Sequence, residues 1–269
     1  MANSADREPW AQEIDDRLFA LMAAIWNGWR LTDIDQAKQA VRERAWRRLI
    51  DGGGAPADSY GKIPGFYGTP ATAERLAELD EWQQATRIKA DPDRAQLPTR
   101  TRALEDGRLL YTAVPRMAGL EPFFLLDPET LTVPAGEAAE KKGAAQVARR
   151  IGVEAMRPID TVVCGSVAVN RSGARIGKGA GYSDLEVALL VEAGLVTAST
   201  VIVAPVHALQ VLEDEIPETE HDFSVDYIVT PDEVIRCTNR RRPPGLVWDD
   251  LTAAKIAAIP VLAAQQRAR

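Results

Sequence analysis

The segment Asp160–Glu186, DTVVCGSVAVNRSGARIGKGAGYSDLE, constrains the fold more than any other part of the chain. It opens with an apolar, β-branched run, Thr161–Cys164 resumed at Val167–Val169, which predicts a buried strand. Asn170-Arg171-Ser172-Gly173 predicts a turn. Arg175 to Asp184, RIGKGAGYSD, then runs straight into an apolar helical pattern at Leu185, Ala188, Leu189 and Val191. Strand, glycine-rich loop and helix start, in that order, leave backbone N–H groups and a positive dipole end where an anion can sit.

Gly177, Gly179 and Gly181 lack Cβ atoms, so the backbone can approach a phosphate closely and take positive φ. Arg175 and Lys178 add positive charge. The spacing is G-x-G-x-G and not the dinucleotide pattern. It is not a Walker A loop either: Gly173 precedes Gly177-Lys178 by one residue too few, and Gly179 replaces Ser/Thr. From the residues alone, a phosphate site and a structural glycine turn both stay open.

The loop resembles the signature of the 5-formyltetrahydrofolate cyclo-ligase family (methenyltetrahydrofolate synthetases), R-[IL]-G-x-G-x-G-Y-Y-D after a strand. The match runs from Arg175 to Asp184, with Ser183 in place of one tyrosine. The Pro243-Pro244-Gly245 and Trp248 tail resembles a divergent branch, the methenyltetrahydrofolate synthetase domain-containing proteins.

With 269 residues the chain is long enough for one large domain. A net charge of −7 argues against a general nucleic-acid or membrane-surface partner, despite Arg240-Arg241-Arg242. Two cysteines, Cys164 and Cys237, supply neither a disulfide framework nor a zinc pattern and read as buried free thiols. No leader or membrane span is evident, so a cytoplasmic location is expected.

Helical spacing runs over residues 10–50, ending at Gly52-Gly53-Gly54. Residues 1–35 are expected to form an N-terminal helical extension and a surface on which a homodimer would form. A further helix is expected over 71–85, with Ile88–Asp93 and Leu97-Pro98 as an irregular connection. Arg100, Arg102 and Arg108 read as a basic loop before the strand Leu109–Val114, with Phe123–Leu126 as its hairpin partner. Lys141–Ile151 reads as helix, and Thr200–Ala204 and Tyr227–Thr230 as strands. Alternating strands and helices from about residue 60 to 235 predict three layers with a mostly parallel sheet. With the extent that the resemblance implies, an α/β domain is expected over residues 36–238, and 239–269 as a C-terminal tail packing on it.

The resemblance implies the ribose-5-phosphate isomerase/CoA-transferase-like (cyclo-ligase) fold and an ATP- and Mg²⁺-dependent ligase. The activity it implies is conversion of 5-formyltetrahydrofolate to 5,10-methenyltetrahydrofolate. It places Lys38 and Arg42, a K-x-x-x-R on one helix face, on the nucleotide phosphates together with Arg175, Ile176, Gly177, Lys178, Gly179, Ala180, Gly181 and Tyr182. Lys178, Tyr182 and Arg175 would carry the chemistry, and Phe66, Tyr67 and Tyr182 would line the substrate. Asp184 would hold magnesium with Asp222, which together with Asp226 and Ile228 matches the family's x-D-x-x-x-D-x-[VI]. No match for the family's pterin-binding acid is evident, and Ser183 removes a phenol. The same ATP-dependent chemistry on a non-folate formamide or amide, or a non-catalytic nucleotide- or folate-binding role, therefore stands beside the folate reading.

Overall fold

A computed structural model describes residues 33–269. The chain divides into two compact units, Met1–Ala37 and Lys38–Arg269. The helical extension expected over residues 1–35 lies almost wholly outside the described residues. Among the described residues, no helix is long and apolar enough to cross a membrane.

Five parallel strands form the middle of an eight-stranded sheet: β1 (Arg87–Ala90), β2 (Leu109–Ala113), β5 (Thr161–Val163), β8 (Val201–Pro205) and β10 (Tyr227–Val229). Their order is β10-β8-β5-β1-β2. Antiparallel strands flank them, β11 (Val234–Arg236) on β10 and β3 (Phe123–Leu126), then β4 (Arg149–Ile151), on β2. Successive strand residues face opposite sides. Val162, Ile202, Ala204 and Ile228 meet α7 (Tyr182–Glu192) and the C-terminal helices α8 (Ala253–Ala258) and α9 (Pro260–Ala268). Ile88, Val163, Val203 and Val229 meet the opposite layer, α2 (Thr69–Ala77) to α6 (Lys141–Val147). The result is the three-layer, mostly parallel α/β architecture expected.

A small second sheet, β7 (Arg175–Ile176), β6 (Ala168–Asn170) and β9 (Val211–Leu212), lies beneath α1 (Asp33–Asp51). Val41, Ala45 and Trp46 of α1 pack on Ala168, Ile176 and Leu212, and Trp46 Nε1 donates to Lys62 O at 2.8 Å. Gly53, at φ 71°, follows the end of α1.

Several local expectations change. The strand read through 161–169 is two strands in different sheets, because the chain turns at Gly165-Ser166. The helix over 71–85 breaks at Leu79, which is extended, and Asp80 and Glu81 open α3 (Asp80–Gln84) at its favourable dipole end. Pro98 starts a helix, α4 (Leu97–Glu105), which takes Arg100 and Arg102 out of the expected loop. The helix from Lys141 stops at Val147, and Arg149–Ile151 joins the sheet edge. Residues 88–90 of the expected irregular connection belong to β1, the strand between β5 and β2.

Candidate functional site

The glycine loop leaves β7 and enters α7, and Gly179 and Gly181 adopt φ of 94° and 70°. A side chain at either position would be strained. Arg42, one turn along α1 from Lys38, donates through Nε to Gly177 O at 2.8 Å. An added Cβ at Gly179 would stand 3.3 Å from the Arg42 guanidinium carbon, so this glycine is what lets the two approach. Lys178 is exposed.

Arg175 is buried, 3.9 Å above the Phe223 ring, and ion-paired with Asp184. Its Nε and Nη1 are buried without a hydrogen-bond partner. Nη1 lies 3.3 Å from where a Cβ on Gly177 would be. Burial disfavours its charge, but Asp184, Cys164, Asp222 and Asp91 outweigh that and raise its pKa. A permanently charged guanidinium with two orphaned donors, set against bare backbone, is suited to an oxyanion.

Lys38 is buried and donates to Asp222 Oδ2 at 2.6 Å and to Thr219 Oγ1 at 3.1 Å. Burial opposes ionisation of Asp222, yet Lys38 and the Thr219 amide prevail and hold its carboxyl below the usual range. Asp184 is ion-paired with Arg175 and Asp222 with Lys38, and the negative charge of both raises the Arg175 pKa. Among the described residues, no group of three His, Cys, Asp or Glu side chains converges on a possible metal position. Carboxylates such as Asp184 and Asp222 are of the donor type that suits magnesium, which takes most of its ligands from phosphates and water.

The sequence profile described as the 5-formyltetrahydrofolate cyclo-ligase family matches residues 32–231. The chain belongs to this family. It is 34% identical over 236 residues to a bovine methenyltetrahydrofolate synthase domain-containing protein, covering 84% of this chain and 61% of that protein. The mouse protein of the same name is 36% identical over 234 residues, covering 84% and 62%. The chain thus spans about three-fifths of the length of these curated relatives. The solved Aquifex aeolicus 5,10-methenyltetrahydrofolate synthetase is 20% identical, with a TM-score of 0.47, covering 76% of this chain and 94% of that one.

Against the cyclo-ligase signature, Ser183 is the departure, and its hydroxyl donates to Asp91 Oδ2 at 3.1 Å. Asp91 follows β1 and belongs to a buried ionic cluster that sequence reading missed. Lys89 Nζ pairs with Asp91 and lies 2.6 Å from Glu186 of α7, and Gly165 N donates to Asp91 Oδ2 at 2.9 Å. Alternation along β1 turns Lys89 toward the α7 face, between the apolar Ile88 and Ala90. That alternation is the signal by which the strand could have been found. Burial lifts the Glu186 carboxyl to about 7, although Lys89 opposes the shift. Asp93 rises to about 6, from burial and then from the negative charge of Asp91.

Of the expected aromatic pair, Phe66 packs with Leu49, Ala55 and Ala95, whereas Tyr67 is 60% exposed. Tyr182 opens α7 and is half-buried. Of the tail arginines, Arg240 and Arg242 bind Asp226 at 2.7 and 2.6 Å, and Arg241 donates to Thr219 O at 2.6 Å. All three cations are therefore engaged internally.

Proposed function

We propose that the protein is an ATP- and magnesium-dependent cyclo-ligase that converts 5-formyltetrahydrofolate to 5,10-methenyltetrahydrofolate. The observation that carries this reading is Arg175, a buried guanidinium whose Nε and Nη1 lack partners beside Gly177. Arg175 and Lys178 neutralise charge on the transferred phosphoryl group, and Lys38 and Arg42 hold the remaining phosphates. Phosphorylation turns the formyl oxygen into a leaving group, and an amine of the same substrate displaces phosphate as the ring closes. Tyr182 packs beside the reacting carbon, and Tyr67 rather than Phe66 is the exposed aromatic available to the substrate. Asp184 and Asp222 would hold magnesium, which when bound offsets phosphate charge. Catalysis then rests on positioning and charge, with no protein nucleophile. The proposal also covers a domain of residues 36–238 with an N-terminal extension and a C-terminal tail, acting in the cytoplasm.

One observation favours a second reading, the same chemistry on a non-folate formamide or amide. The Ser183 hydroxyl is bonded to Asp91 where the signature has a phenol, and Phe66 is packed into a core cluster, so the substrate side departs from the signature more than the phosphate side does. Incubation with 5-formyltetrahydrofolate, ATP and Mg²⁺ should raise near-ultraviolet absorbance as product forms. Phosphate release from other formamides without that rise selects the second reading. Thermal protection by Mg-ATP without any turnover indicates a binding protein. The absence of both protection and turnover refutes the phosphate cradle.

A further inference from the structure

The family match ends at residue 231, yet the chain beyond it returns to the glycine loop. Leu246, Ile256, Ile259 and Leu262 are buried in the same core as α7, which fixes the segment between them. Within that segment Lys255 Nζ donates to Ala180 O at 2.7 Å and lies 4.0 Å from the Tyr182 ring centroid. Burial lowers the Lys255 pKa, with Asp184 opposing. A cavity of about 250 Å³ opens between the loop and this segment. Leu185, Leu246 and Leu251 give it apolar walls, and Asp250, Thr252 and Lys255 give it polar ones. His221 joins the lining, its Nδ1 3.1 Å from Asp250 Oδ2.

The contents of this cavity follow from its charge and size. Arg42, Arg175, Lys178 and Lys38 do not line it, and its one lysine is offset by Asp184 and Asp250. It is therefore no place for a polyphosphate. Its volume falls below the roughly 300–1,000 Å³ of sites that enclose a whole organic ligand, so it receives one end of a molecule. That end is largely apolar, with hydroxyl or amino groups for Asp250, His221 and Thr252. The cavity shares Gly179–Gly181 with the phosphate cradle, which makes it continuous with the charged end of the same ligand.

We propose that residues 246–255, outside the family match, complete a nucleoside pocket. In it the base and sugar of the nucleotide lie between α7 and the C-terminal segment while its phosphates lie on the Arg175 side of the loop. This rests on the nucleotide reading above. Lys255 is a positioning residue that latches Ala180 while Arg42 holds Gly177.

The test is calorimetric binding of ADP, inorganic tripolyphosphate and 5-formyltetrahydrofolate to the full chain and to two variants. Leu251→Trp fills the cavity. Asp250→Ala removes a half-exposed acceptor at little risk to the fold. Leu251→Trp should weaken ADP at least tenfold, and Asp250→Ala should weaken it about three- to tenfold. Tripolyphosphate binding should stay unchanged in both. Equal loss of ADP and tripolyphosphate, or no loss in the Asp250 variant, overturns the pocket while leaving the cradle standing. Loss confined to 5-formyltetrahydrofolate overturns it by giving the cavity to the substrate's ring. Failure of the unaltered protein to bind ADP or tripolyphosphate sinks the nucleotide reading itself, and this inference with it.

Discussion

Replacing Lys89 by Met tests the buried ionic cluster that ties α7 to the sheet. The Lys89 side chain is fully buried, pairs with Asp91 and lies 2.6 Å from Glu186. Methionine keeps most of the stem volume, so packing loss should stay below about 1.5 kcal/mol. Removing the cation leaves two carboxylates buried without their partner, a loss of about 3–5 kcal/mol. Against a total stability of roughly 5–15 kcal/mol, that is a large fraction. The loss must also depend on pH. Glu186 titrates near 7 in the fold and near 4.5 when free, so the folded state holds the extra proton between those values. In that window stability falls as pH rises, and it levels off above about 7 once both states are ionised. Without Lys89 the folded value climbs further, so the variant should go on losing stability between about pH 7 and 8.5 while the parent stays level. Equilibrium urea unfolding at pH 5.5, 7 and 8.5 measures this. A loss under about 1 kcal/mol at pH 8.5, or one independent of pH, would refute the cluster as described.

Arg42→Ala removes the cation that holds Gly177 O at 2.8 Å. ATP affinity should fall about ten- to a hundredfold while urea stability moves by about 1 kcal/mol or less, and unchanged affinity removes Arg42 from the site. Gly179→Ala adds a methyl 3.3 Å from the Arg42 guanidinium, whereas Gly181→Ala meets nothing within 4 Å. Both carry the ~1–2 kcal/mol strain of positive φ, but only Gly179→Ala should also displace Arg42 and weaken ATP further, as calorimetry of the pair would report. Asp93 titrates near 6 in the fold against 3.8 when free, so its ionisation withdraws stability as pH rises from about 4 to 6. Asp93→Asn should therefore stabilise by up to about 3 kcal/mol at pH 8 and by little at pH 4, read as a shift in unfolding midpoint.

What was legible in the sequence followed from local chemistry. The glycine loop, its strand and its helix could be read because β-branched runs, glycines and apolar helical spacing lie within one short segment. Lys38 and Asp222 were nominated separately, and they meet at 2.6 Å although 184 residues apart, which only the fold could establish. β1 escaped because Lys89, Asp91 and Pro92 interrupt its few apolar residues, so that Ile88–Asp93 read as an irregular connection. The burial of Lys89 and Asp91 depends on Glu186 and Gly165, which arrive from far along the chain. Lys255 gave no sign of involvement for the same reason. Its helix carries no motif, and its role comes from the seat that Leu246, Ile256 and Leu262 take in the core. Pro98 misled because a residue that breaks helices internally also begins them.

Arg42 and Lys255 grip carbonyls at the two ends of the same short bend, Gly177 and Ala180. Arg42 engages Gly177 through Nε alone, so an arriving anion can meet its remaining N–H donors without releasing the bend. Its Ala180 end stays tethered to a helix that lies beyond the family match. Relatives lacking that helix would close the same bend with one hand.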